Sequence, residues 1–277
     1  MKNSIRVLQA LSLDVVAGAM AMGLFALKWC NASLPRVWWL ILAMAVWIIY
    51  TADHLIDSLK KKERAVIFRH RMHYRFRIPI AVFIVVLALI TLTLSIIYLN
   101  QRIILAGALL SFTVLAYLLF IALFHLQEKY FLKEIFIAVI YVLGIWLAPL
   151  VSGSGYPTGF TFVLLAGFIL LVFSEGVLVS RYEMELDKHD AHPSFARYFG
   201  DKTTGRIVKF ILITVFITAF ITAFFTESVY RYGFIIEAVM TILLFVMFTI
   251  KKPLIKSDRY HLLGEMIFWL PALLYCF

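Results

Sequence analysis

Long apolar runs separated by short charged connectors dominate this chain. A helix that crosses a bilayer needs about 20 mostly apolar residues. Nine segments meet that requirement: 7–27, 36–56, 78–98, 102–124, 132–151, 159–180, 207–226, 231–250 and 260–276. The second and sixth run into acidic sequence at their C-terminal ends. Most connectors are too short to fold by themselves. The pattern therefore predicts one all-α integral membrane domain over 1–277, a nine-transmembrane-helix bundle with cap loops near 57–77 and 181–206. The N-terminus is weakly basic, but Asp14 interrupts the apolar run behind it. That start reads as a first span and not as a cleaved signal.

Composition agrees with the pattern. Hydrophobic residues make up 63% of the chain and charged residues 15%, and the mean hydropathy is +0.94. A soluble fold of 277 residues has no interior large enough for so much apolar surface. The net charge of +10 is an orientation signal here and implies no nucleic-acid partner. With the N-terminus in the cytosol, all but four of the 26 Lys and Arg residues fall on the cytosolic side. The exceptions are Lys28, Arg36, Arg102 and Arg231. This asymmetry follows the positive-inside rule and predicts a cytosolic N-terminus and an external C-terminus. Cys30 and Cys276, at opposite ends of the chain, have no metal-ligand spacing and read as apolar fillers.

Acids and histidines lie among the basic cytosolic segments, and an orientation signal needs neither. The second span ends Tyr50-Thr51-Ala52-Asp53-His54-Leu55-Ile56-Asp57. Asp53 and Asp57 are four apart, so a helix projects both carboxylates from one face. Two such groups repel each other unless a cation lies between or beside them. Mg²⁺ suits that place, because it takes one or two carboxylates, keeps waters and binds substrate phosphates. A lone pair of this kind also occurs at a helix end merely solvated in the cytosol. The sixth span, however, is followed by a second pair, Glu183 and Asp187. Two pairs at corresponding cytosolic ends are a sharper signal, with room between them for a diphosphate held by bridging Mg²⁺ and basic side chains.

These motifs resemble those of the UbiA superfamily of intramembrane prenyltransferases. That family has nine helices, with one aspartate-rich motif after helix 2 and another after helix 6. Asp53-xxx-Asp57 is similar to the last two acids of the first motif. Glu183-xxx-Asp187 is similar to the second, with Ser194 and Gly200 at the later spacing. Lys133 resembles the lysine of a Tyr-x-x-x-Lys setting after span 4, although Tyr130 lies three residues before it. Ile49 and Tyr50 stand where the family usually has Asn and its first Asp. Glu183 replaces an Asp, and Ala191 a Gly.

The resemblance implies Mg²⁺-dependent transfer of an isoprenyl group from a prenyl diphosphate to a lipophilic or aromatic acceptor. It implies that Asp53, Asp57, Glu183 and Asp187 are both catalytic residues and metal ligands. Lys133, Arg64, Arg69 and Arg71 are the candidates for binding the diphosphate. The three arginines lie in the 57–77 loop, whose apolar interruption predicts a short amphipathic cap helix, and they equally suit lipid headgroups. The expected location is a cell membrane, of the bacterial inner-membrane kind. Asp14, Glu175 and Glu265 lie in spans toward the cytosolic side, where they line a cavity or bond helix to helix. Two other readings use the same features. His54, His70-x-x-His73 and His189-x-x-His192 suggest a histidine-ligated metal oxygenase, and the bundle by itself suggests a transporter or a non-catalytic scaffold.

Overall fold

Inside hydrocarbon, backbone N–H and C=O groups must pair within the chain, which restricts apolar runs such as these to helices. The computed structural model describes residues 9–61, 68–124, 131–153, 159–189, 194–257 and 259–276. Its helices are α1 (Leu13–Cys30), α2 (Val37–Lys61), α3 (Phe68–Arg75), α4 (Arg77–Tyr98), α5 (Gln101–Phe124), α6 (Phe131–Ser152) and α7 (Gly159–Tyr182). They continue as α8 (Met184–His189), α9 (Phe195–Phe199), α10 (Asp201–Phe225), α11 (Ser228–Thr249), α12 (Lys251–Ser257) and α13 (Tyr260–Ile267). No strand forms among the described residues. The one isolated bridge joins Ala32 to Gly153, where a side chain on Gly153 would lie 2.6 Å from the Cys30 carbonyl oxygen.

Among the described residues, α1, α2, α4, α5, α6, α7, α10 and α11 are long and apolar enough to cross a membrane. The chain is an all-helical, multi-pass membrane protein. The segment expected as a ninth span is shorter. It is helical over Tyr260–Ile267 and then tightens into a 3₁₀ stretch, Leu270–Cys276. Pro271 gives the reason, since it lacks an N–H and its ring meets the carbonyl one turn back. The first span also starts later than the sequence pattern suggests. Ser12 takes a left-handed conformation (φ 54°), and the helix proper begins at Leu13.

The helix α7 is deeply enclosed, with Leu164, Phe168, Leu171, Val177 and Leu178 all fully buried. Around it Phe25, Trp29, Trp146, Phe168 and Phe234 form one aromatic cluster, with neighbouring ring centroids 5.3–6.5 Å apart. Edge-to-face contacts of this kind add to the packing. By contrast α4 has no buried residue. Its Ile78, Val82, Val85, Leu89 and Ile96 are exposed, as lipid-facing positions are. Sidedness thus puts the packed core around α7 and leaves α4 and α5 facing lipid.

Candidate functional site

The helix α2 continues to Lys61, so Asp53 and Asp57 sit one turn apart on one face, as their spacing predicts. Lys133, in the first turn of α6, reaches across to both. Its Nζ is 2.9 Å from Asp53 Oδ1 and 2.8 Å from Asp57 Oδ2. The three side chains are largely covered, at 14%, 17% and 10% exposed. The lysine expected to meet a diphosphate therefore lies between the first two acids, where its charge relieves their repulsion.

The expected cap helix is α3. It packs on the end of α2 through His73, which is fully buried and meets the ring of His54 at 5.6 Å. Arg71 is exposed on α3. Arg69 lies on the same helix, its side chain outside the described residues, and Arg64 falls outside them altogether.

The second pair straddles a bend. The helix α7 ends at Tyr182 and α8 begins at Met184. Backbone bonds nevertheless continue from Glu183 N–H to Val179 C=O (2.9 Å) and from Asp187 N–H to Glu183 C=O (2.8 Å). The helical register thus survives the bend, and both carboxylates are buried. Glu183 Oε1 accepts a hydrogen bond from the Tyr260 hydroxyl at 3.1 Å and lies 2.9 Å from His261 Nε2. The α13 end thus orients the acid that replaces an aspartate. Sequence reasoning missed Tyr260, which carries no spacing signal toward Glu183. His261 was legible only as one more histidine at the cytosolic face.

Adjacent residues tie the two pairs together. While Lys133 holds α2, the neighbouring Glu134 accepts the Phe195 N–H at 3.0 Å. Ser180 on α7 accepts the Ala196 N–H, also at 3.0 Å. The first N–H groups of a helix lack partners inside it, so these two side chains fix α9 in place. Ser194 stands at the N-cap position but makes no side-chain cap bond. Gly200 closes α9 with φ 77°, a left-handed conformation that glycine adopts without strain. Beside it Asp201 binds Arg181 at 2.8 Å and Lys251 at 2.6 Å, joining the ends of α7, α10 and α12.

A second polar layer lies deeper in the bundle. Tyr50 precedes Asp53 by one turn, and Tyr141 follows Lys133 by two, so each shares a face with a site residue. Their rings are 6.0 Å apart. Glu175 precedes Glu183 by eight residues, about 12 Å along the axis, and its carboxylate lies against Gly264, so that a side chain there would make the carboxylate shift. Glu175 and Glu265 are in electrostatic reach of both phenols.

The donor set is hard oxygen, which suits Mg²⁺ and not a soft metal. Among the described residues, no three His, Cys, Asp or Glu side chains are grouped to hold a metal ion alone. An ion at either pair would complete its shell with water and phosphate oxygens, as Mg²⁺ does. The site residues fit such an ion only as a partial cage. His54 and His73 meet edge to face, and the side chain of His70 and all of His192 lie outside the described residues.

No family model and no curated protein matches the sequence. Solved structures do match. A UbiA homologue from Archaeoglobus fulgidus bound to DMAPP and Mg²⁺ has a TM-score of 0.67 to this chain at 14% identity, over 98% of both chains. A structure of a UbiA homologue from the same organism, bound to GPP and Mg²⁺, has a TM-score of 0.64 at 13% identity, over 98% of this chain and 100% of that one. The chain has the UbiA fold. That UbiA fold extends over 98% of the chain. The two acidic pairs therefore belong to the fold itself and not to an appended segment.

Proposed function

We propose that this protein is an intramembrane prenyltransferase. It moves an isoprenyl group from a prenyl diphosphate to a lipophilic or aromatic acceptor, with Mg²⁺ held by Asp53, Asp57, Glu183 and Asp187. One observation carries the reading. The UbiA fold carries two acidic pairs at helix ends, the first bridged by Lys133, with Glu134 and Ser180 holding α9 between α6 and α7, and UbiA homologues of that fold bind DMAPP or GPP with Mg²⁺. The same reading puts the N-terminus in the cytosol, counts the short final helix as a ninth crossing and treats the chain as one domain of a cell membrane.

When bound, Mg²⁺ neutralises the diphosphate and stabilises the charge of departing pyrophosphate. The protein supplies the rest. Tyr260 and His261 fix the direction of Glu183, and Lys133 donates its N–H groups to phosphate oxygens. Arg71, exposed on α3, adds charge to the diphosphate site, and Arg64 and Arg69 are assigned to the same task from the sequence. The donor C–O bond breaks, and its electrons leave with pyrophosphate. The acceptor then bonds to the allylic carbon and loses a proton. The apolar walls of α6 and α7 exclude water that would otherwise capture the cation. The polar layer of Tyr50, Tyr141 and Glu175 would receive the acceptor headgroup.

The test is Mg²⁺-dependent binding and turnover of geranyl, farnesyl and geranylgeranyl diphosphate by protein in nanodiscs, followed by pyrophosphate release. The double variant Asp57→Asn/Asp187→Asn should lose turnover. Near-normal activity in it removes the metal assignment. A second reading, a non-catalytic scaffold, draws on Ile49 and Tyr50 at the two upstream motif positions. Folded protein that binds none of the donors would favour it.

A further inference from the structure

The position of Lys133 has a consequence for how the site loads. Its ammonium bridges Asp53 Oδ1 and Asp57 Oδ2 at 2.9 and 2.8 Å. An ion bound to the same two oxygens at about 2.0–2.1 Å would lie nearly where Nζ lies. Two cations that close repel strongly in a site so well covered. Nor does a neighbouring acid enlarge the pair so that both fit, because Glu134 is turned to the Phe195 N–H. Ile49, one turn before Asp53, offers no oxygen. A lysine is a compact charge on a flexible four-carbon stem, so it can leave the pair without any helix moving.

We propose that Lys133 and a divalent cation are alternative occupants of the Asp53–Asp57 pair, the ion entering when a diphosphate draws the ammonium onto its own oxygens. Lys133 then has two roles in turn. It holds the first pair in register before substrate arrives and moves its charge to the diphosphate as the ion takes its place. This rests on the prenyl diphosphate reading for its trigger, but not for the competition itself. In the second pair Tyr260 and His261 orient Glu183, and the exchange is confined to the first pair. Binding of donor and of metal at the first pair is therefore mutually dependent.

The probe is Mn²⁺, followed by electron paramagnetic resonance in nanodiscs. First-pair binding is read as the difference between each protein and the same protein carrying Asp53→Asn/Asp57→Asn. In the wild type that difference is expected to be small with Mn²⁺ alone and to grow on adding geranyl thiolodiphosphate, an unreactive analogue. Lys133→Gln should bind Mn²⁺ at the first pair without the analogue, roughly tenfold or more tightly than wild type. Lys133→Arg keeps the charge and should leave the pair closed to Mn²⁺ alone. Wild-type protein that already fills the first pair without analogue overturns the proposal, and so does a Lys133→Gln protein that never fills it. The wild-type comparison stands even if a variant fails to fold. If the labelled analogue does not bind at all, the donor reading falls, while the Lys133→Gln difference still decides the competition.

Discussion

At the scale of single residues, the site depends on contacts that allow little change. Glu183 is buried and accepts bonds from Tyr260 and His261, so its charge and its direction are separable. Removing the charge with Glu183→Gln should lower kcat/KM for pyrophosphate release by about 100-fold or more, as loss of a group that stabilises the transition state does. Tyr260→Phe removes one hydrogen bond worth about 0.5–1.5 kcal/mol and should cost no more than about tenfold. Equal losses in the two variants would mean that Tyr260 does more than orient. Gly264 gives a stability counterpart. A methyl there meets the Glu175 carboxylate, and overpacking of this kind costs about 1–3 kcal/mol. Gly264→Ala should lower the thermal midpoint in detergent, and the double variant with Glu175→Ala should recover most of that loss.

At the scale of elements, α9 has only five residues and no intrinsic stability at that length. It is held by Glu134, by Ser180 and by the left-handed Gly200. Ser180→Ala removes one acceptor from a buried N–H, a cost of about 1–3 kcal/mol. Hydrogen exchange should then accelerate at Phe195–Phe199 while α7 remains protected. The spacing of Glu183 and Asp187 disclosed that the acids belonged together. It did not disclose the bend at Glu183, because the backbone bonds of the continuing helix pass through the bend. Pro271 was visible in the sequence, yet the 260–276 run read as a full span because hydropathy does not register a missing donor.

At the scale of the molecule, the bundle has two unlike sides. Aromatic rings around α7 fill one part of it, and the ion pairs of Asp201 with Arg181 and Lys251 close another. The orientation drawn from Lys and Arg has a direct check with a membrane-impermeant thiol reagent on intact cells. In a protein whose Cys30 and Cys276 are replaced by Ala, a cysteine replacing Glu227, at the α10–α11 turn, should be labelled. One replacing Lys188, which is half exposed on α8, should be protected until the cells are opened. The reverse pattern would invert the topology.

Apolar run lengths, charge asymmetry and i, i+4 spacing are local properties, and they sufficed for an all-helical membrane protein with two acidic pairs at helix ends. A helix displays residues four apart on one face whatever lies around it, so Asp53 with Asp57 and Glu183 with Asp187 were legible. The partners of those acids were not. Lys133 lies on a different helix, and Tyr260 and His261 come from the last. No periodicity within one helix records which face of another it meets. Tertiary packing alone decided that an ammonium sits between the first two carboxylates and that a phenol and an imidazole orient Glu183, because charge compensation inside a bundle is settled by whichever side chains the helix crossings bring within bonding distance.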